Sequence, residues 1–570
     1  MKKPAFFDRS ELNRTLWVLR REFVWVGVFS LVANVLMLTP SVYMLQVFDR
    51  VLTSQSELTL LVVTLFLIVF FVVMAFAEWI RSRLLVRTGV RIDQELNPRV
   101  FTASFDAYLR QARRNPVEAF SALTTLRQFL TGQGILAFFD SPWTVIYIIV
   151  IFLLHPFLGW LSVLFACIQL GVTWLSHRVT VQMIESATES GTNSVEYAQG
   201  KLRNIEPLHA MGMLGNMRER WLGFHEGSLN NSGVSFHEQN RQQSLTKFVR
   251  YSMQSLTLGA AALLVLDGKL TPGAMIAANV LMARALQPLD LLVVSWKLFV
   301  QAKMAFSQLE AILEEFPERS SGKDHGEPEA DISLKKLSAS VPGRDTPILD
   351  EISADIPAGS LLVMIGPSGS GKSTLARCMV GVWPGVDGEV LIDGQPVESW
   401  DRRELGPHIG YLPQDIELFG GSIAENIARF GEVVPEKVVE AARRTGIHEM
   451  ILRFPGGYDT EIGEAGGMLS AGQRQRIGLA RAMYGNPAFI VLDEPNANLD
   501  DAGDQALLRA VDDLKKQGKT VVLISHRPYI VKVADLLLIL RDGRIVHFGP
   551  RDAVLAEMRS QSAQPPAESA

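Results

Sequence analysis

Residues 58–77, LTLLVVTLFLIVFFVVMAFA, run without a single charged side chain. About 20 apolar residues are what a helix needs to cross the hydrocarbon core of a bilayer, and a helix satisfies all its backbone hydrogen bonds internally while doing so. This run therefore sets the first constraint: part of the chain folds in lipid. Five further stretches fit the same length, at 23–48, 135–154, 156–176, 246–267 and 273–296, and the clear run itself extends over 57–80. The third and fourth are separated only by LLHPFLGW, so they form a hairpin with almost no loop.

Lysines and arginines near helix ends orient such a chain. Lys2, Lys3, Arg9, Arg14, Arg20 and Arg21 precede the first segment. Arg81, Arg83, Arg87, Arg91 and Arg99 follow the second; Arg178, Lys201, Arg203, Arg218 and Arg220 follow the fourth. The opposite loops hold only Arg50 and Lys269. Both termini are thus expected in the cytoplasm, as are the long basic stretches 81–134 and 177–245. Apolar spacing such as AFSALTTLRQFL makes each stretch a pair of helices running out of the membrane and back. Residues 8–22, with Leu12, Leu16, Val18 and Leu19, read as an amphipathic helix lying on the membrane surface. Segment six carries Arg284, Gln287 and Asp290. Charge inside a membrane is costly; it marks either a transport route or a structural pair with another helix.

Beyond Pro317 the text changes to ordinary soluble α/β sequence, so the 570 residues divide in two. The expected boundaries are an N-terminal helix at 1–22, a transmembrane domain at 23–316, a linker at 317–330, an α/β domain at 331–555 and a disordered polar tail at 556–570. A net charge of −5 gives no reason to expect nucleic acid as a partner. Cys167 and Cys378 lie in different halves, which argues against a disulfide framework. No cleavable signal peptide is visible at the start.

In the second half, an apolar strand at 361–365 leads into GPSGSGKST. Gly366, Gly371, Lys372 and Ser373 fit the phosphate-loop spacing. The loop Gly366, Pro367, Ser368, Gly369, Ser370, Gly371 and Thr374 can wrap a β-phosphate at a helix N-terminus with its backbone N–H groups, Pro367 shaping the turn without donating one. Lys372 reaches the β- and γ-phosphates, and the Ser373 hydroxyl takes a Mg²⁺ position. AFIVLDEP ends a second buried strand in two carboxylates: Asp493, placed to hold Mg²⁺, and Glu494, placed to deprotonate an attacking water. His526 ends a third core strand, VVLISH, where a γ-phosphate contact is useful, and Gln414 follows a fourth strand-like run. LSAGQRQR, 469–476, is a second helix start able to receive phosphate, although one nucleotide pocket is already complete at Lys372.

Together these motifs resemble the ATP-binding cassette (ABC) ATPase from about 331 to 550. LSAGQ resembles the family signature, Gln414 the Q-loop (also a Mg²⁺ ligand), NANLD at 496–500 the D-loop and His526 the switch histidine. The resemblance implies that two cassettes pair head to tail, so that Ser470, Gly472 and Gln473 of one chain cover nucleotide on the partner. It implies a homodimeric exporter that binds ATP and Mg²⁺: six transmembrane helices, then an α/β P-loop ATPase domain. The whole chain resembles a narrower group, the inner-membrane ATPase of bacterial type I secretion, in the branch exporting proteases, lipases and haem-binding proteins. LTPSVYMLQVFDRVL, FFDSPWTVIYIIVIFLLHPFLGW, RNIEPLHAMGML and EPNANLD carry that likeness. It implies an unfolded cargo with a C-terminal signal, a periplasmic adaptor and a TolC-like outer-membrane channel. The alternatives are the same machine exporting a lipid, glycan or small molecule, and an ATP-gated channel, against which Glu494 and His526 speak.

Three departures stand out. Ala471 replaces the signature's second-position glycine, a change expected to be tolerated. Val341 falls where many exporters stack a tyrosine on adenine, so stacking should be weaker or come from another side chain. No peptidase domain precedes the first segment, which argues against leader-peptide cleavage.

Overall fold

A computed structural model describes residues 10–111, 116–202, 205–318, 326–341, 346–463 and 469–562. The chain divides into two compact units, one holding the apolar half up to Glu318 and the other holding Arg319 onwards with the short stretch 109–112.

The first unit is helical. Among the described residues, Arg20–Ser54, Glu57–Arg110, Gln133–Leu154, Leu214–Leu266 and Pro272–Glu315 are long and apolar enough to cross a membrane. Pro156–Val172 is a shorter apolar stretch that opens the helix Pro156–Leu202. The hairpin between segments three and four turns at His155, whose extended backbone (φ −160°) separates Leu154 from Pro156. Pro156 suits the first turn of a helix because its missing N–H has no partner there anyway. The two long basic stretches are the continuations of the spanning helices, Glu57–Gln111 leading out and Pro116–Thr131 back, then Pro156–Leu202 out and Leu214–Leu266 back.

Three polar features knit these helices. The first span is broken by a π turn at Val47–Val51. There Asp49 accepts the Thr271 hydroxyl at 2.5 Å and the Gly273 N–H at 2.8 Å, satisfying an N–H at the start of Pro272–Glu315. A Cβ at Gly273 would lie 2.6 Å from the Asp49 carboxylate, so a side chain there would push that carboxylate from its place. In the second feature, Asp140 receives Arg81 at 3.0 Å and Asn34 at 3.0 Å, with the Ser30 hydroxyl also bonded, and the Tyr147 hydroxyl donates to the Asn34 carbonyl at 3.0 Å. In the third, Asp290 of segment six accepts Arg250 of segment five at 2.7 Å and Gln169 of segment four at 2.6 Å. Asp290 therefore belongs to a structural triad within one chain. Arg284 bonds Gln287 at 3.2 Å and the Met37 sulfur instead.

The N-terminal helix, Glu11–Val18, starts at Ser10, whose side chain accepts the Asn13 N–H. The membrane-surface reading needs correction here. Leu12 and Leu19 are fully buried in a core shared with Ile92, Leu96 and Leu309. Protein, rather than lipid, covers these two side chains, while Val18 of the same helix is 51% exposed. Residues 1–9 lie outside the described residues.

The second unit contains strands β1 (Ile332–Ala339), β2 (Leu349–Ile356), β3 (Leu361–Ile365), β4 (Val386–Ile392), β5 (Gln395–Pro396), β6 (Ile409–Leu412), β7 (Gly421–Ser422), β8 (Glu461–Ile462), β9 (Phe489–Asp493), β10 (Thr520–Ile524), β11 (Leu536–Arg541) and β12 (Arg544–Pro550). The main sheet has the order β12-β11-β3-β10-β9-β6, parallel except for the β11–β12 edge pair. A four-stranded antiparallel sheet, β2-β1-β4-β5, and the small pair β7-β8 complete it. Buried on both faces, β9 and β10 read as continuous apolar runs, as parallel central strands do. The polar tail expected from 556 begins later than that. The helix Arg551–Ser562 continues seven positions into it, with Val554 buried beneath the sheet's edge core. Residues 563–570, and 319–325 of the expected linker, lie outside the described residues.

Candidate functional site

Parallel register brings the ends of four strands to one edge. Met364 of β3 sits beside Ile524 of β10, Ile524 beside Asp493 of β9, and Leu492 beside Leu412 of β6. The residues that follow these ends, Gly366, Glu494, His526 and Gln414, therefore emerge together. Ligands of open α/β sheets bind at this carboxyl edge.

The loop from Gly366 to Gly371 leads into the helix Lys372–Met379. Two glycines are required by geometry. A Cβ at Gly366 would lie 2.1 Å from the Leu540 carbonyl oxygen, and Gly371 takes φ +101° with Leu349 2.7 Å from its would-be Cβ. Pro367, Ser368 and Gly369 are exposed, Ser370 is buried, and Ser373 and Thr374 are half-buried on the first helical turn. Lys372 is 7% exposed and its Nζ donates to the carbonyls of Gly366 and Pro367, both at 2.9 Å. Burial pulls its pKa down, and the carboxylates of Glu494 and Asp493 hold it back up.

Glu494 is the hub of the edge. Gln414 donates to its Oε2 at 3.4 Å and His526 Nε2 stands 3.8 Å from its Oε1. Its backbone is left-handed, φ +48°, a conformation costly for a side chain with a Cβ and persistent only when neighbours over-determine it. Its N–H donates to the Ile524 carbonyl at 3.1 Å. Asp493 is 1% exposed, and neither carboxylate oxygen makes a hydrogen bond of normal geometry. Burial raises its pKa, while the nearby Ser373 hydroxyl acts to lower it. Two buried orphan oxygens beside a hydroxyl form a hard, all-oxygen donor set, which fits Mg²⁺.

Ser470 lies elsewhere. It caps the helix Ala471–Met483, its hydroxyl accepting the Gln473 N–H at 3.3 Å while Gln473 Oε1 accepts the Ser470 N–H at 2.8 Å. Gln473 thus spends its side chain on Ser470. Gly472 has the Asn498 carbonyl oxygen 2.7 Å from its would-be Cβ, so a chain contact as well as any ligand excludes a side chain there. Ala471 is exposed. Ser470, Gly472 and Gln473 line a recess of about 500 Å³. It shares no residue with the recess of about 1100 Å³ lined by Gly366, Pro367, Ser368 and His526. That larger recess reaches on to Val531, Leu555 and Met558 and includes neither Lys372 nor Glu494. Val341 is 37% exposed.

Two contributors to this edge escaped the sequence reading. Gln475, 2% exposed, donates to the Glu494 carbonyl at 3.1 Å and accepts the Asn498 N–H at 3.0 Å. Arg476 pairs with Asp500 at 3.0 Å. The available signal was the polar QRQR run on a helix whose later residues are apolar.

A family described as ABC transporter matches residues 349–497, and one described as ABC transporter transmembrane region matches residues 23–289. The chain is 38% identical over 549 residues to the type I secretion system ATP-binding protein PrsD of Rhizobium meliloti (strain 1021), covering 95% of this chain and 93% of that one. It is 30% identical over 571 residues to the alpha-hemolysin translocation ATP-binding protein HlyB of Escherichia coli, covering 98% and 80%. A solved bacterial Atm1-family ABC exporter with ATP bound shares the fold, with a TM-score of 0.83 at 23% identity over 97% of this chain and all of that one. A multi-pass membrane unit followed by an ATP-binding, ATP-hydrolysing unit, with these relatives, places the chain in the ABC transporter family, among the ATP-binding proteins of type I secretion systems.

Proposed function

We propose that the chain exports an unfolded protein with a C-terminal signal across a bacterial inner membrane, as the ATPase of a type I secretion system. The observation that carries this is the convergence of Gln414, Asp493, Glu494 and His526 beside the Gly366–Lys372 loop in a chain that also bears a multi-helix membrane unit. The likeness to relatives named for type I secretion and hemolysin translocation favours protein cargo over lipid or glycan.

In this reading Lys372 and the loop N–H groups hold the β- and γ-phosphates. Ser373, Asp493 and Gln414 would hold Mg²⁺, which when bound would supply charge neutralisation at the phosphates. Glu494 takes the proton of the attacking water as its oxygen bonds the γ-phosphorus and the bond to ADP breaks. His526 steadies the γ-phosphate. Ser470 and Gly472 come from a second copy, a pairing supported by the signature recess of one chain containing no phosphate-loop residue. Both termini face the cytoplasm, and a periplasmic adaptor and TolC-like channel continue the path. Arg284 and Gln287 serve the cargo: a wet cavity with scattered polar groups satisfies the backbone of an unfolded chain without selecting a sequence.

The test uses membranes containing the chain, an adaptor and an outer-membrane channel. A reporter with a C-terminal export signal should be secreted, and Lys372→Ala should stop it. Arg284→Gln should keep protein level and basal ATPase while reducing secretion. Secretion that survives Lys372→Ala would overturn the reading, as would ATP-driven lipid movement with no reporter secreted. Normal secretion by Arg284→Gln would remove segment six from the route.

A further inference from the structure

The catalytic turn is held from the signature helix at successive positions. At Gly472 the backbone meets the Asn498 carbonyl so closely that a Cβ would stand 2.7 Å away. One turn on, the buried Gln475 side chain bridges the Glu494 carbonyl at 3.1 Å and the Asn498 N–H at 3.0 Å. Next to it, Arg476 reaches Asp500 at 3.0 Å. Asp500 in turn caps the helix Asp501–Lys516 by accepting the Gly503 N–H at 2.9 Å. Segment 494–500 is therefore fastened along its length to one helix.

Glu494 needs such a fastening. Its left-handed backbone stores strain that relaxes unless its neighbours forbid it. The Ala497 N–H also reaches the Glu494 carbonyl, at 3.2 Å, but that bond is local and moves with the turn. Among the described residues, Gln475 ties that carbonyl to a different element, and it does so while 2% exposed, where a broken bond leaves unsatisfied polar atoms out of water.

We propose that Gln475 is a positioning residue for ATP hydrolysis: its side chain pins the backbone of Glu494, and with it the direction of the catalytic carboxylate, to the helix that Ser470 opens. This rests on the reading of Glu494 as the base. The tether also makes the signature helix and the base of one chain a single mechanical piece, although in the dimer they serve two different nucleotides.

The experiment compares purified full-length wild type, Gln475→Met, Gln475→Ala and Glu494→Gln. Methionine matches the volume of glutamine while losing both hydrogen bonds, so it separates tethering from space-filling. Displacing a catalytic group by about 1 Å costs on the order of 100-fold in rate. Gln475→Met is therefore expected to lower kcat about 10- to 100-fold, with the KM for ATP within about twofold of wild type and nucleotide binding retained. Gln475→Ala should lower kcat at least as far. If Gln475→Met turns over normally while Glu494→Gln is inactive, the tether is wrong and the base assignment stands. Should Glu494→Gln itself keep normal turnover, the base assignment fails. A Gln475→Met protein whose kcat falls only in proportion to a loss of folded fraction, measured by thermal unfolding, would make the residue structural and overturn the proposal.

Discussion

In the helix Glu57–Gln111, Leu58 is 73% exposed, Leu65 59% and Phe66 60%, whereas every residue of β9 from Phe489 to Asp493 is buried. Only 6% of that helix's most apolar window is buried inside the chain. The same side-chain chemistry faces outward in one unit and inward in the other, because lipid is as apolar as a protein core. Polar groups follow the reverse rule. Asp140 and Asp290 pull arginines between helices of the membrane unit, while in the ATPase unit the polar groups that matter gather where the parallel strands end. One unit is organised by what its interior must hold together, the other by what its edge must present to a ligand.

The sharpest way to break this contrast is at the edge. Glu494→Gln exchanges one carboxylate oxygen for an amide nitrogen and keeps the side chain's shape, so folding and ATP binding should persist. Steady-state phosphate release should fall on the order of 10²–10⁴-fold, the usual worth of a general base. Near-normal release would mean that the edge presents something other than a base.

The next effect is expected inside the membrane unit. Asp290→Asn removes the charge that Arg250 answers at 2.7 Å, with the two side chains only 15% and 23% exposed. An arginine left without its partner in such a setting should cost about 2–3 kcal/mol, between the values for exposed and fully buried pairs. A lower melting temperature in detergent and reduced accumulation in membranes would register it. The exposed pair of Arg544 with Asp350 offers the matched control. Arg544→Gln should leave melting unchanged. Equal losses from both substitutions would erase the distinction between the units.

The smallest effect concerns Val341. Val341→Tyr should supply a ring to an adenine and lower the KM for ATP about two- to tenfold, corresponding to roughly 0.5–1.5 kcal/mol of aromatic contact. No change in KM would place the adenine elsewhere.

The two units also differed in what could be read from their letters. Lys372, Asp493 and Glu494 were legible because phosphate and metal chemistry fixes residue types at short spacings, and a strand end supplies the rest. Gln414 gained meaning only from the family likeness, since nothing local says that it reaches Glu494 across 80 positions. The spans were legible from run length alone. Their interior partners were not: Gln169 and Asp290 stand 121 positions apart, and no periodicity relates them. The N-terminal helix misled for a related reason. An apolar stripe says that Leu12 and Leu19 leave water, but not whether lipid or protein receives them. Gln473 sits inside the signature, which is why it reads as a nucleotide contact; that its Oε1 also receives the Ser470 N–H could not be seen from the letters.

That last arrangement has a thermodynamic side. A serine hydroxyl has one proton to give and two lone pairs. The helix start uses a lone pair of Ser470, through the Gln473 N–H, while the Gln473 side chain clasps the Ser470 backbone in return. The proton stays free, and the rotamer that aims it is already frozen. Side-chain freezing of this kind ordinarily subtracts from affinity when two surfaces meet. Here it is lost once, when the helix forms, so in the proposed pairing the closure of two copies over ATP would carry no repeated entropic cost at Ser470.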